Sequence, residues 1–143
     1  MKGTRRKARE DALQILYQLD LNDQLSVEMA LKHFEALYLQ EQQGLDPFTK
    51  RLVTGVSEKA KEIDSKIEEI SSHWKPERMA AVDRNILRLG AYEILFCEDI
   101  PSTVTLNEMV EIAKEFGAEN TPAFVNGLLD KLKEKFPNPL KAH

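Results

Sequence analysis

Apolar residues recur along most of the chain at the three- and four-residue steps of an amphipathic helix, and no segment alternates as a strand does. The first helical segment covers residues 5–21. A second follows Ser26, which is a favourable N-cap, and a third follows Asp46 and Pro47, a typical helix start. The apolar stripe of the third segment runs from Leu52 to Trp74, so the pattern predicts one long helix there.

Pro76 interrupts this periodicity and divides the chain into two portions, about 1–74 and 77–143. Three further helices are predicted in the second portion, around residues 82–93, 102–116 and 121–136. Gly90 lies within the first of them and would permit a close helix crossing. Short loops between successive helices favour antiparallel packing of neighbours, so the pattern predicts an all-α protein.

Composition excludes several classes of protein. The 143 residues match about one domain, and no apolar run exceeds four residues, far short of a membrane span. Cys97 is the only cysteine, so no internal disulfide forms. The chain also lacks a secretory signal, and we therefore expect a soluble, cytoplasmic protein without a membrane partner.

Charge is distributed unevenly. Residues 1–10 carry a net charge of +4, whereas the whole chain has −4, so the remaining 133 residues carry −8. Basic residues at the start of a helix interact unfavourably with the helix dipole, so their presence there favours a role in binding an anion. A solvated basic terminus is the alternative.

No catalytic motif is recognisable. His33, His73 and His143 do not have the spacing of metal ligands, and the glycines form no phosphate-binding loop. Glu108 and Glu111 lie one turn apart but lack the histidines of a di-metal bundle site. We therefore expect no cofactor, no metal and no enzymatic activity.

Two features indicate RNA binding instead. Arg5, Arg6 and Arg9 can share a surface of the first helix, with Gln14 and Tyr17 further along it. Guanidinium groups neutralise phosphates, while rings and amides contact unpaired bases, so single-stranded RNA is the natural ligand. We expect Arg6 and Arg9 to be exposed; for Tyr17, core packing stays an equal alternative.

The second feature is Phe124, which lies off the apolar stripe formed by Val125, Leu128 and Leu132. An aromatic ring at a helix N-terminus could stack on a base while free backbone N–H groups hold a phosphate. Gly127 follows within the same helix and is poor helix material, which close packing or a side-chain hydrogen bond would explain.

Several blocks of the sequence resemble the NusB family of bacterial transcription antitermination factors. They are RRKARE at 5–10, ALQILY at 12–17, VDRNILRLGAYE at 82–93, NEMVEIAKEFGA at 107–118 and FVNG at 124–127. These blocks stand in family order over nearly the whole chain, and residues 22–72 match in length and helical pattern alone.

The resemblance implies a single all-α domain of two packed three-helix bundles, with six to seven helices and no catalysis. It implies binding of boxA RNA together with a small-subunit ribosomal protein, NusE, within a transcribing RNA polymerase complex that holds other Nus factors. The target would be ribosomal RNA operons, whose transcription would become processive. By position, the RNA surface would comprise Arg5, Arg6, Lys7, Arg9, Gln14, Tyr17, Asn120 and Phe124. The NusE surface would comprise Glu77, Asp83, Arg84 and Glu93.

Asn120 departs from the family pattern, because many members have an acidic residue there. An amide in place of a negative charge should strengthen RNA binding. The fold also resembles the N-terminal module of some ribosomal RNA cytosine methyltransferases, but this chain ends at His143 and the free-standing factor is favoured. The alternative function is a helical protein–protein scaffold or homodimer without specific RNA recognition.

Overall fold

The structure is a computed structural model that describes residues 3–39 and 44–141, and in these ranges it contains seven α-helices, one 3-10 turn and no strand. The helices are α1 (Thr4–Leu21), α2 (Val27–Tyr38), α3 (Pro47–Glu58), α4 (Ala60–Ile70), α5 (Ala81–Phe96), α6 (Ser102–Phe116) and α7 (Thr121–Lys135). The 3-10 turn spans Pro76–Arg78. The all-α prediction is confirmed, and no helix among the described residues is long and apolar enough to cross a membrane.

The prediction of one long third helix is wrong. Lys59 has φ −103° and ψ 11°, outside the helical region, and it separates α3 from α4. The apolar stripe continues across this residue because Val56, Ile63 and Ile67 are all buried. Hydrophobic spacing reports which side chains are buried, and it does not encode one residue's backbone angles.

The chain forms two compact units, residues 1–58 and residues 59–143. The segment of α4 therefore belongs to the second unit, whereas the sequence placed residues up to Trp74 with the first. That all of residues 1–143 form a single domain stays a prediction.

The first unit contains α1, α2 and α3. Helices α2 and α3 begin at the predicted caps: the Ser26 hydroxyl accepts a hydrogen bond from the Met29 amide at 3.1 Å, and an Asp46 carboxylate oxygen accepts one from the Phe48 amide at 2.8 Å. Buried Thr49 donates through its hydroxyl to the Ala8 carbonyl at 3.0 Å, which fixes α3 against α1. The largest fully buried side chains of this unit are Ile15, Phe34 and Leu52.

The second unit contains α4 to α7, and α5 packs against each of the other three helices. A Cβ at Gly90 would lie 2.6 Å from Leu129 Cδ1 and 3.1 Å from Met109 Cγ. This confirms that Gly90 permits the close crossing of α5 with α6 and α7. On the other face of α5, Arg88 forms two 2.9 Å hydrogen bonds with the Asp64 carboxylate of α4.

Candidate nucleic-acid interface

The basic residues of α1 divide between two sides of the helix. At about 100° per residue, Arg6, Lys7, Gln14 and Tyr17 fall within one third of the circumference, while Arg5 and Arg9 lie on the adjoining side. Lys7 and Gln14 are exposed, Arg6 is half-buried, and Tyr17 has 38% of its surface exposed. The open choice for Tyr17 is thus resolved in favour of a partly exposed ring. We call Arg6, Lys7, Gln14 and Tyr17 the outer face of α1.

The first turn of α1 concentrates positive charge. It contains no acidic residue, and its N-cap, Gly3, offers no side chain to accept from the free amides. Lys7 forms an ion pair with Asp11 one turn later, and 60% of its side-chain surface is nevertheless exposed. Cations here oppose the helix dipole, so this turn is a place where a phosphate would improve the electrostatics.

The prediction that Arg9 is exposed is wrong. Only 2% of its surface is accessible, and its guanidinium carbon lies 5.2 Å from the centre of the Phe48 ring. Ala12 and Leu13, one turn further along α1, are buried too, so Arg9 lies on the buried side of the helix. An Arg9→Ala variant would therefore lose buried contacts that no local sequence pattern indicates.

Phe48 is a neighbour of the candidate site that the sequence analysis missed. Its ring is 6% exposed and lies 3.9 Å from the Arg5 guanidinium carbon, closer than the corresponding distance to Arg9. Phe48 stands 43 positions after Arg5 in the chain, and no local pattern links the two. Its one sequence signal is its place on the apolar stripe of α3, four residues before Leu52.

In the second unit, a tight turn precedes α7, with Asn120 at its end and Phe124 in the first turn of the helix. Buried Thr121 accepts from the Ala118 amide at 2.9 Å through its hydroxyl and donates to Asp83 at 3.1 Å. A Cβ at Gly117 would lie 2.7 Å from the Thr121 side chain, so this turn requires glycine.

Asn120 and Phe124 are one turn apart and both exposed. Phe124 has 42% of its surface accessible, while Val125 and Leu132 of the apolar stripe are fully buried, which confirms that Phe124 lies off that stripe. The Asn120 side chain is exposed and forms no capping hydrogen bond. We call Asn120 and Phe124 the α7 platform.

The expectation of several free backbone N–H groups beside Phe124 is wrong. The Thr121 amide donates to Ala118 and the Phe124 amide to Asn120, while Pro122 has no N–H. Of the first four residues of α7, Ala123 alone keeps an amide for which the described part of the chain provides no acceptor. The platform is therefore suited to stacking more than to holding a phosphate.

No neighbouring atom in the described structure requires a glycine at position 127. Gly127 is exposed, and a Cβ at this position would meet nothing within 4 Å. Of the two explanations offered for this glycine, close packing or a side-chain hydrogen bond, close packing is therefore wrong.

The predicted NusE residues occupy very different environments. Glu77 is exposed in the 3-10 turn, whereas Asp83 is half-buried and accepts from Thr121. Arg84 is half-buried and donates from Nη1 to the carbonyls of Pro76 at 3.0 Å and Met79 at 2.9 Å. Both charged groups of α5 therefore stabilise their own unit.

The placement of Glu93 contradicts its assignment to a partner surface. Its side chain is 0% exposed, and its carboxylate accepts from the Thr105 hydroxyl of α6 at 2.7 Å. Lys141 is buried next to it and donates from Nζ to the Glu93 and Ile94 carbonyls at 2.6 and 3.0 Å. Glu93 lies on the side of α5 that packs against α6, where a glutamate is kept only by such hydrogen bonds.

Six of the eight predicted RNA residues belong to the first unit, and the other two form the α7 platform in the second. Within residues 3–39 and 44–141, no group of three His, Cys, Asp or Glu side chains could hold a metal ion. His143 lies outside the described residues.

Comparisons with known proteins agree with one another. Residues 6–134 match a family model described as the NusB family. A relative from Bdellovibrio bacteriovorus, named transcription antitermination protein NusB, is 47% identical over 133 residues, with 90% of this chain and 93% of the relative covered. A T. maritima NusB structure is 34% identical, with a TM-score of 0.80 and 96% of both chains covered. A structure of antitermination factors NusB and NusE with double-stranded RNA is 29% identical, with a TM-score of 0.80 and coverage of 92% and 97%.

Proposed function

The chain belongs to the NusB family, and we propose that it is an RNA-binding transcription antitermination factor that binds boxA-type single-stranded RNA together with the ribosomal protein NusE. In this role it acts by binding and catalyses no reaction. Its RNA contacts come from Arg5 and the outer face of α1 in one unit and from the α7 platform in the other.

The exposure of Phe124 is the observation that supports RNA binding most directly. An aromatic side chain with 42% of its surface in water lacks part of the hydrophobic stabilisation that burial would provide. The next residue, Val125, is fully buried, so α7 has a buried side that Phe124 does not share. A base that stacks on this ring covers it, and stacking needs an unpaired base, which favours a single strand over a duplex. Asn120, one turn before, supplies an amide for a base edge.

The first turn of α1 supplies the electrostatic part of binding. Arg5 and Lys7 are exposed and Arg6 is half-buried, so three cations remain after Arg9 is removed from the accessible set. Three phosphate contacts to a single strand predict a salt slope of about −2, or about 20-fold weaker binding between 50 and 200 mM salt.

NusE is the proposed protein partner, and a member of the same fold has been solved with NusE and RNA. The acidic remainder of the chain, with a charge of −8 outside residues 1–10, complements a basic ribosomal protein. Joining two modest contacts raises the effective concentration at the second site, so RNA and NusE together bind more tightly than either alone. The assembly then joins the transcribing RNA polymerase complex in the cytoplasm and promotes processive transcription of ribosomal RNA operons.

A homodimer or protein scaffold is the second candidate. It is favoured by exposed apolar side chains of α2, where Met29 has 47% and Leu37 73% of its surface accessible. Such a protein would show neither a salt-dependent RNA affinity nor an effect of Phe124.

The test compares two exposed phenylalanines of the second unit. Phe124→Ala should weaken binding of a fluorescent boxA strand by about 1–3 kcal/mol, the usual contribution of one stacked base. Phe116, which is 45% exposed on α6, is the matched control, and Phe116→Ala should leave RNA affinity unchanged. Equal losses from both variants, or no loss from Phe124→Ala, would contradict the proposed stacking role.

A further inference from the structure

Two arginines of α1, Arg5 and Arg9, contact one aromatic ring at the start of α3. Phe48 is the second residue of α3, and its ring lies 3.9 Å from the Arg5 guanidinium carbon and 5.2 Å from that of Arg9. Arg5 and Arg9 are four residues apart on α1, so they occupy successive turns of one face. Both distances lie within the ~6 Å range of a cation–π attraction.

The position of the ring relative to α1 is fixed by hydrogen bonds on both sides of Phe48 in the chain. The Phe48 amide donates to the Asp46 carboxylate at 2.8 Å, and the hydroxyl of Thr49 donates to the Ala8 carbonyl at 3.0 Å. Ala8 lies between Arg5 and Arg9, so Thr49 anchors α3 at the same turn of α1 that presents the two guanidinium groups. With 6% exposure, the ring has little freedom to move.

Arg5 keeps its hydrogen-bonding capacity while its position is restricted. It is exposed, and within the described ranges its guanidinium has the ring as its contact, with neither a carboxylate nor a carbonyl acceptor. A cation–π attraction uses the charge of the guanidinium and leaves its N–H donors available to a phosphate. Ordering a long side chain before binding lowers the entropy that is lost when the ligand arrives.

We propose that Phe48 is a positioning residue for RNA binding. Its ring holds the Arg5 side chain in the orientation that binds an RNA backbone phosphate, and its contact with Arg9 fixes the same face of α1. The inference rests on the proposed function, and it adds a residue that does not itself touch RNA. Arg9 is buried, so it has no direct access to the ligand.

A double-mutant cycle in the full-length protein tests this role, with affinity for a fluorescent boxA strand at low salt as the readout. Phe48→Leu should weaken binding about three- to tenfold, which is the range of a partly desolvated cation–π contact. Phe48→Tyr keeps the ring face and should restore affinity to within about twofold of the parent. In an Arg5→Ala background, Phe48→Leu should cause little further loss, because its effect acts through Arg5.

Phe34 is the matched control, since it is a buried phenylalanine of the same unit whose ring neighbour is Tyr38 at 5.0 Å. Phe34→Leu should lower thermal stability as Phe48→Leu does and leave RNA affinity unchanged. The side-chain protons of Arg5 should show upfield ring-current shifts in NMR spectra of the unaltered protein, and Phe48→Leu should abolish them. If Phe48→Leu does not fold, Phe48→Met takes its place in the cycle.

The outcomes separate the inference from the proposed function. If Arg5→Ala weakens RNA binding but folded Phe48→Leu binds as the parent does, the positioning role is overturned and the proposed function stands. If the losses from Arg5→Ala and Phe48→Leu simply add, Phe48 does not act through Arg5. If Arg5→Ala and Phe124→Ala both leave affinity unchanged, the proposed function itself fails.

Discussion

The hydroxyl of Thr121 donates a hydrogen bond to the carboxylate of Asp83 at 3.1 Å, which joins the first residue of α7 to the first turn of α5. The same hydroxyl accepts from the Ala118 amide, so one buried oxygen closes the turn that presents the α7 platform. The geometry of Asn120 and Phe124 therefore depends on a group that faces the interior.

Replacing Thr121 with valine should destabilise the protein and weaken RNA binding. The change keeps the side-chain shape but leaves the Ala118 amide and the Asp83 carboxylate without this partner, at a cost of about 1–3 kcal/mol in the free energy of unfolding. Urea denaturation measures the stability, and boxA titration measures the affinity. Thr103→Val, at an exposed position of α6, is the control and should change neither quantity. A Thr121→Val protein of parental stability would show that these hydrogen bonds contribute nothing net.

Two glycines of the second unit should respond in opposite directions to alanine. Gly90→Ala places a methyl group 2.6 Å from Leu129 Cδ1, and we expect a loss of about 1–3 kcal/mol from overpacking. Gly127→Ala meets no atom within 4 Å and should stabilise the protein by about 0.5–1 kcal/mol through helix propensity. Thermal unfolding of the two variants side by side provides the measurement. Equal effects of the same sign would contradict the packing described for α5.

Asn120→Asp should weaken RNA binding by about fivefold or less, because a new charge near a phosphate costs ~1 kcal/mol in water. The difference from the parent should shrink at high salt, since exposed charges are screened. Asn107→Asp, at an exposed position of α6, adds the same charge and serves as the control. Unchanged affinity of Asn120→Asp at low salt would remove Asn120 from the RNA surface.

Lys141 should make the stability of the second unit depend on pH. Burial lowers the pKa of its ammonium group below the usual 10.5, although the nearby Cys97, Glu93 and Asp99 oppose this shift. The folded state then binds fewer protons than the unfolded state between the lowered pKa and 10.5, so this group's contribution to stability rises with pH in that window. A neutral amine keeps two N–H donors, enough for the Glu93 and Ile94 carbonyls.

The measurement is the free energy of unfolding at several alkaline pH values, for the parent and for Lys141→Met. The parent's stability relative to the variant should increase as the pH rises toward 10.5. A difference that stays flat or decreases over this window would contradict the effect of burial on Lys141.

Sequence patterns predicted what depends on neighbours in the chain. The caps at Ser26 and Asp46 and the exposure of Phe124 all follow from local chemistry or from a 3.6-residue period, and each was confirmed. The burial of Arg9 and Glu93 was not foreseen, because it is decided by residues 12 or more positions away, Phe48 for Arg9 and Thr105 for Glu93. From the sequence alone, a charged residue is expected to be exposed, because its partner on another helix is not known.

The resemblance to a family identified the function and suggested positions for the site, whereas it did not distinguish which charges are accessible to a ligand and which stabilise the fold. Asp83 and Arg84 illustrate this point, since both belong to a family block and both form hydrogen bonds within their own unit. Separating the two roles required the burial and the hydrogen-bond partners of each side chain.

The most direct test of the central claim is a fluorescence titration of a boxA single strand with the unaltered protein, with and without NusE, at 50 and 200 mM salt. A scrambled strand and a boxA duplex are the controls. The account predicts tighter, sequence-selective binding of the single strand in the presence of NusE, and about 20-fold weaker binding of that strand at the higher salt. Binding that is indifferent to sequence, to NusE and to salt would contradict it.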